Sequence, residues 1–88
     1  MAIGFHHAAS RHDISQAQVR HVIRNCAWPL YSPEPDEEDL VIFLGPDEHG
    51  VPLEVVAVEL EDEGLLVIHA MKLRRKYALV YKKVMEGR

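Results

Sequence analysis

The chain has 88 residues, 48% of them hydrophobic, and a formal net charge of −4 at pH 7. That allows one small domain, residues 1–88, with one core, and argues against disorder. A single cysteine, Cys26, excludes an internal disulfide framework and a four-thiolate metal site and fits a reducing cytoplasm, while no apolar run approaches the roughly 18 residues of a membrane span and no secretory leader pattern is visible.

The charge is unevenly spread. Residues 1–33 carry +2, residues 34–68 carry −12 with no Lys or Arg, and residues 69–88 carry +6. A nucleic acid would have to meet the basic end locally, against an unfavourable overall field. The plainer alternative is that the acids decorate loops and an exposed sheet face.

Residues 1–10 read as irregular, or as a short helical turn. "SQAQVRHVIRNCA" (15–27) predicts a helix with Ser15 as N-cap and Gln18 completing a capping box; Val19, Val22, Ile23, Cys26 and Ala27 form its apolar face, and Pro29 ends it. "SPEPDEED" (32–39), with two prolines and five acids, predicts a loop. Strands follow at 40–45, 52–60 and 65–71, joined by tight turns at 46–50 and 61–64, which implies an antiparallel meander. Glu54 and Glu59 do not share a parity, so a bulge or an early strand end is expected in the second strand. Residues 72–86 predict a basic helix, with Leu73, Tyr77, Val80, Tyr81 and Val84 as one stripe toward the sheet. The expected fold is α+β: a small antiparallel meander of three strands packed with an N-terminal and a C-terminal helix. A fourth strand from residues 1–5, or from a partner chain, would complete a marginal core.

The strand–helix junction "VIHAMKLRRKYALVY" (67–81) concentrates the chemistry. Alternation from Val67 places Ile68 and Ala70 on one face and His69 with Met71 on the other. Arg74, Arg75 and Lys76 would occupy the first turns of the helix, where cations are unfavourable unless a bound phosphate or a neighbouring acid compensates them. Histidine with arginine suffices for metal-free RNA cleavage: a base for the 2′-OH, an acid for the departing 5′-oxygen, and a cation for the charged phosphorane. His69 suits either proton role and Arg74 suits bidentate phosphate. A lone histidine at a strand end is also commonly structural. Tyr77 and Tyr81 belong to the apolar stripe, although the Tyr77 hydroxyl could turn to the site.

"FHHAASRHD" (5–13) matches no spaced zinc signature, and a solvated terminus fits it better than a metal site; no cofactor is called for. Arg11 and His12 could fold over the sheet as second contributors. Trp28 and Tyr31 offer either a base-stacking platform or a closure of the core edge.

The order of these motifs resembles the BrnT-type toxins of bacterial toxin–antitoxin operons, within the RelE-like group of small ribonucleases. The likeness covers roughly residues 11–81. The family segment Lys/Arg-His-Gly-hydrophobic-Ser/Asp is matched by Arg11, His12, Asp13, Ile14 and Ser15, with Asp where Gly is usual. The third strand, which ends Ile-Ser-Ala-Arg in the family, here ends Ile68, His69, Ala70, Met71. Tyr77 stands at the family's Glu position and Tyr81 keeps its Tyr.

The resemblance implies a cytoplasmic, metal-independent endoribonuclease whose partners are RNA and an antitoxin. The catalytic candidates are His69, Arg74 and His12, and the substrate contacts are Arg11, Lys72, Arg75, Lys76 and Tyr77. The alternatives are a non-catalytic binding module using the same basic junction, or a structural domain whose sheet face forms a homodimer.

Overall fold

Hydrophobic alternation along three central strands builds the sheet from the middle outward. The computed structural model describes residues 2–32, 36 and 39–87. Its strands are β1 (Ile3–Phe5), β2 (Leu30–Tyr31), β3 (Leu40–Pro46), β4 (Pro52–Glu59) and β5 (Leu65–Lys72), and its helices are α1 (Gln16–Asn25) and α2 (Ala78–Glu86). The sheet runs β1-β5-β4-β3-β2. β2 to β5 are antiparallel neighbours, whereas β1 lies parallel to β5 with Ile3 opposite Leu65. The α+β class and the central meander are as the sequence predicts. The strand count is five rather than three or four, and the sheet is mixed, because residues 3–5 pair as the suggested extra strand and Leu30–Tyr31 add a short edge. Most of the acidic loop predicted at 32–39 lies outside the described residues.

One face of the sheet is the core. Val41 and Phe43 of β3, Leu53, Val55 and Ala57 of β4, and Leu65, Val67 and Ala70 of β5 pack with Val19, Val22 and Ile23 of α1. α1 carries the predicted capping box: the Ser15 hydroxyl accepts the Gln18 backbone N–H, and Gln18 Oε1 accepts the Ser15 backbone N–H at 2.8 Å. The Gln18 amide then donates to Asp47 at 3.0 Å. Asp47 is buried at the head of the β3–β4 hairpin, where it also accepts the N–H groups of His49 and Val51. Those backbone donors and Gln18 hold its carboxyl below the usual range. One carboxylate thus ties the helix start to the hairpin turn, which Gly50 completes at φ 83°.

Two expectations are corrected. β4 is continuous and carries Glu54 on the face away from α1; the bulge sits in β5, where Val56 opposes His69 and Ala57 opposes Val67, leaving Ile68 as the extra residue. The bulge resets the alternation, so Val67 and Ala70 both face the core and only the pairing of His69 with Met71 on the far face survives.

The predicted helix over 72–86 starts later. β5 continues to Lys72, Arg74 is extended at φ −84°, ψ 156°, a 3-10 turn spans Arg75–Tyr77, and α2 begins at Ala78. The cause is Glu54, whose carboxylate accepts the Arg74 backbone N–H at 2.9 Å and holds it out of helical geometry. Of the predicted stripe only Val84 is buried; Leu73, Tyr77 and Tyr81 are half-buried and Val80 is exposed. α2 packs against β3 on the face away from α1, and Trp28 Nε1 clasps its end by donating to the Gly87 carbonyl at 3.0 Å. Trp28 and Tyr31 are themselves exposed, so neither closes the core edge.

Candidate functional site

The site grows from one residue, Glu54. Its position in the middle of an apolar strand buries it completely. A buried carboxylate is costly unless it is paired and hydrogen-bonded, and the end of β5 supplies both. Arg74 Nη2 reaches Glu54 Oε2 at 2.6 Å, and Arg74 Nε lies 2.9 and 3.0 Å from the two oxygens. Burial opposes ionisation of Glu54, but the Arg74 side-chain and backbone hydrogen bonds and its charge outweigh it and hold the carboxyl below the usual range. The first-turn cations whose compensation the sequence left open thus have at least one neighbouring acid.

His69 is the second partner, with Nε2 3.3 Å from Glu54 Oε2 and its side chain 27% exposed. Burial lowers its pKa, the Glu54 carboxylate pulls it up, and Arg74 and His12 lower it again; the balance lies below the ordinary 6.5. At pH 7 the imidazole is therefore neutral. A carboxylate can only accept, so Nε2 carries the proton and Nδ1 keeps its lone pair. The His12 ring meets His69 edge-on, 5.7 Å between centroids at 70°. His12 reaches it because the chain leaves β1 and turns across the end of β5: His6 N–H bonds the Val67 carbonyl, and a 3-10 turn follows at His7–Ser10. Asp13 then takes φ 58°, the left-handed conformation that glycine adopts without strain.

On the other flank, the Arg74 guanidinium lies 5.7 Å and the Lys76 ammonium 4.9 Å from the Tyr77 ring centroid. Tyr77 is thus a half-exposed ring between two cations rather than part of the core. His12, His69, Arg74, Tyr77 and Lys76 are joined in one chain of contacts through Glu54. Arg11, Lys72 and Arg75 are exposed, and among the described residues no ion pair or ring contact joins them to that group. Arg74 has five N–H donors, of which Glu54 engages Nε and one on Nη2. With the side chain 41% exposed, the others can still meet an anion, although the charge is largely compensated.

Glu54 is the residue that sequence reasoning missed as part of the site. Its signal was present: an acid between Leu53 and Val55, out of parity with Glu59. His6 and His7 stack on one another at 4.1 Å, and His6 caps the 3-10 turn. Among the described residues, no cluster of three or more His, Cys, Asp or Glu is placed to hold a metal ion, and no helix is long and apolar enough to cross a membrane. Comparison with protein families, curated proteins and solved structures gives no match to the chain.

Proposed function

We propose that the chain is a toxin-like endoribonuclease of a toxin–antitoxin pair that cleaves RNA by metal-independent acid–base catalysis. The observation that carries this is His69: a neutral imidazole, fixed through one nitrogen by a buried carboxylate, with a second histidine against its ring. His69 Nδ1 takes the proton of a ribose 2′-OH. The 2′-oxygen forms a bond to the adjacent phosphorus, and the P–O5′ bond breaks. His12 gives a proton to the departing 5′-oxygen, leaving a 2′,3′-cyclic phosphate and a 5′-hydroxyl. Glu54 orients His69 in the role a carboxylate plays behind a catalytic histidine. The remaining Arg74 donors, with Lys72, Arg75, Lys76 and Arg11, hold the phosphates, and the Tyr77 ring offers a stacking surface.

The test is cleavage of single-stranded RNA by the purified chain, with the termini identified, beside growth arrest on induction. His69→Ala and His12→Ala should each abolish both. RNA left intact by the parent protein, or cleavage that survives in both variants, overturns the assignment.

The pairing of Arg74 with Glu54 favours a second reading, a non-catalytic module that docks RNA or an acidic protein on the same basic junction. It is distinguished by binding that weakens steeply with salt and leaves the RNA whole.

A further inference from the structure

On the face of the sheet opposite the histidines' face lies a groove of about 440 Å3, between the end of α1, Pro29 and the near ends of β3, β4 and β5. Its floor is apolar, formed by Ile23, Phe43 and Leu65. Its rim carries Glu59 and Glu63, with Tyr31 lying against Glu59. Among the described residues neither glutamate has a salt-bridge partner. Such a groove suits an apolar side chain surrounded by positive charge.

The chain presents that feature itself. Leu79 on α2 is 78% exposed. Lys82 and Lys83 follow it by three and four residues within α2, and both are exposed. Residues at those spacings neighbour one another on a helical surface, so the leucine is flanked by two cations. α2 packs on one face of the sheet and the groove opens on the other.

We infer that the chain self-associates head to tail, with the Leu79 face of α2 of one copy entering the groove rimmed by Glu59 and Glu63 of the next. Knob and groove lie on opposite faces, so two copies cannot satisfy both contacts at once, and the contact propagates beyond a dimer. The inference stands independently of the ribonuclease reading, because Leu79, Lys82, Lys83, Glu59 and Glu63 have no part in that site.

Sedimentation equilibrium of the full chain over a wide concentration range tests it. The average mass should rise with concentration past that of two copies, and raising the salt should weaken association severalfold. Leu79→Asp should leave a monomer with an unchanged circular dichroism spectrum, since the side chain is exposed. The double variant Glu59→Lys/Glu63→Lys should also be monomeric, and adding Lys82→Glu/Lys83→Glu to it should restore association. A monomer at every concentration, a mass that stops at two copies, or association indifferent to Leu79→Asp would overturn the inference.

Discussion

Glu54 and Met71 face each other across β4 and β5, yet the cation that meets Glu54 comes from Arg74, three residues further along. Met71 carries no charge to offer Glu54, and Arg74 brings a guanidinium to it instead. It does so by staying extended, which delays the start of α2 to Ala78.

Arg74→Ala should therefore cost about 3 kcal/mol in urea denaturation, the lower end for removing one partner of a buried ion pair, because the outer part of Arg74 is solvated. The double variant Glu54→Leu/Arg74→Ala should recover much of that loss, since it leaves no buried charge behind. Equal losses in the single and double variants would show that the Glu54 carboxylate is solvated without Arg74.

Stability should fall on acidification in two steps. The folded pKa of His69 lies below its unfolded value near 6.5, so the unfolded chain gains a proton first as the pH drops below about 6.5, and stability declines there. The folded pKa of Glu54 lies below the ordinary 4.5, so its contribution is complete above that value and is lost as the pH falls through the folded pKa. His69→Gln should flatten the upper step and Glu54→Gln should shrink the lower one, leaving the share of Asp47, whose carboxyl is also held below its ordinary value, in midpoints measured from pH 8 to pH 3. A His69 that instead becomes charged on folding would reverse the sign of the upper step.

Gly64 ends the β4–β5 turn, where an added Cβ would meet Asp62 Oδ1 at 2.9 Å and the Ala2 carbonyl at 3.2 Å. That carbonyl accepts the Leu65 N–H where β1 joins β5. Gly64→Ala should cost about 1 to 3 kcal/mol, with hydrogen exchange quickening first in β1 rather than in β3 or β4.

Asp13, at φ 58°, should accept glycine with stability unchanged or slightly raised, whereas Asp13→Val should lose about 1 to 2 kcal/mol to left-handed strain. Thermal melts of the two variants compare them directly. Equal melting temperatures would mean that the loop before α1 relaxes out of this conformation.

The readable parts of the molecule are those governed by local rules. The capping box at Ser15 and Gln18, the Asp47 turn and the three long strands follow from spacing and turn chemistry alone. The late start of α2 was not readable, because residues 73–77 are helical by pattern and are overruled by a carboxylate twenty residues away in the chain. The bulge at Ile68 had no signal of its own in the sequence, because the parity conflict of Glu54 with Glu59 belongs to β4, which is continuous. In the candidate site, His69, Arg74 and His12 come together as the junction and the N-terminal histidines suggested. Glu54, which joins His69 to Arg74, looked like a strand irregularity because its partners are distant in sequence.

The parallel pairing of β1 with β5 also sets an order of assembly. Ile3 must meet Leu65 across most of the chain, whereas the β3–β4 and β4–β5 hairpins close short loops. The meander, with Glu54, His69 and Arg74 already side by side, can therefore form before the N-terminal strand docks. His12 follows that strand in the chain, so the two-histidine arrangement depends on its docking. A chain whose first strand comes loose would keep its sheet and lose the pair, which makes the N-terminus a natural latch on the site.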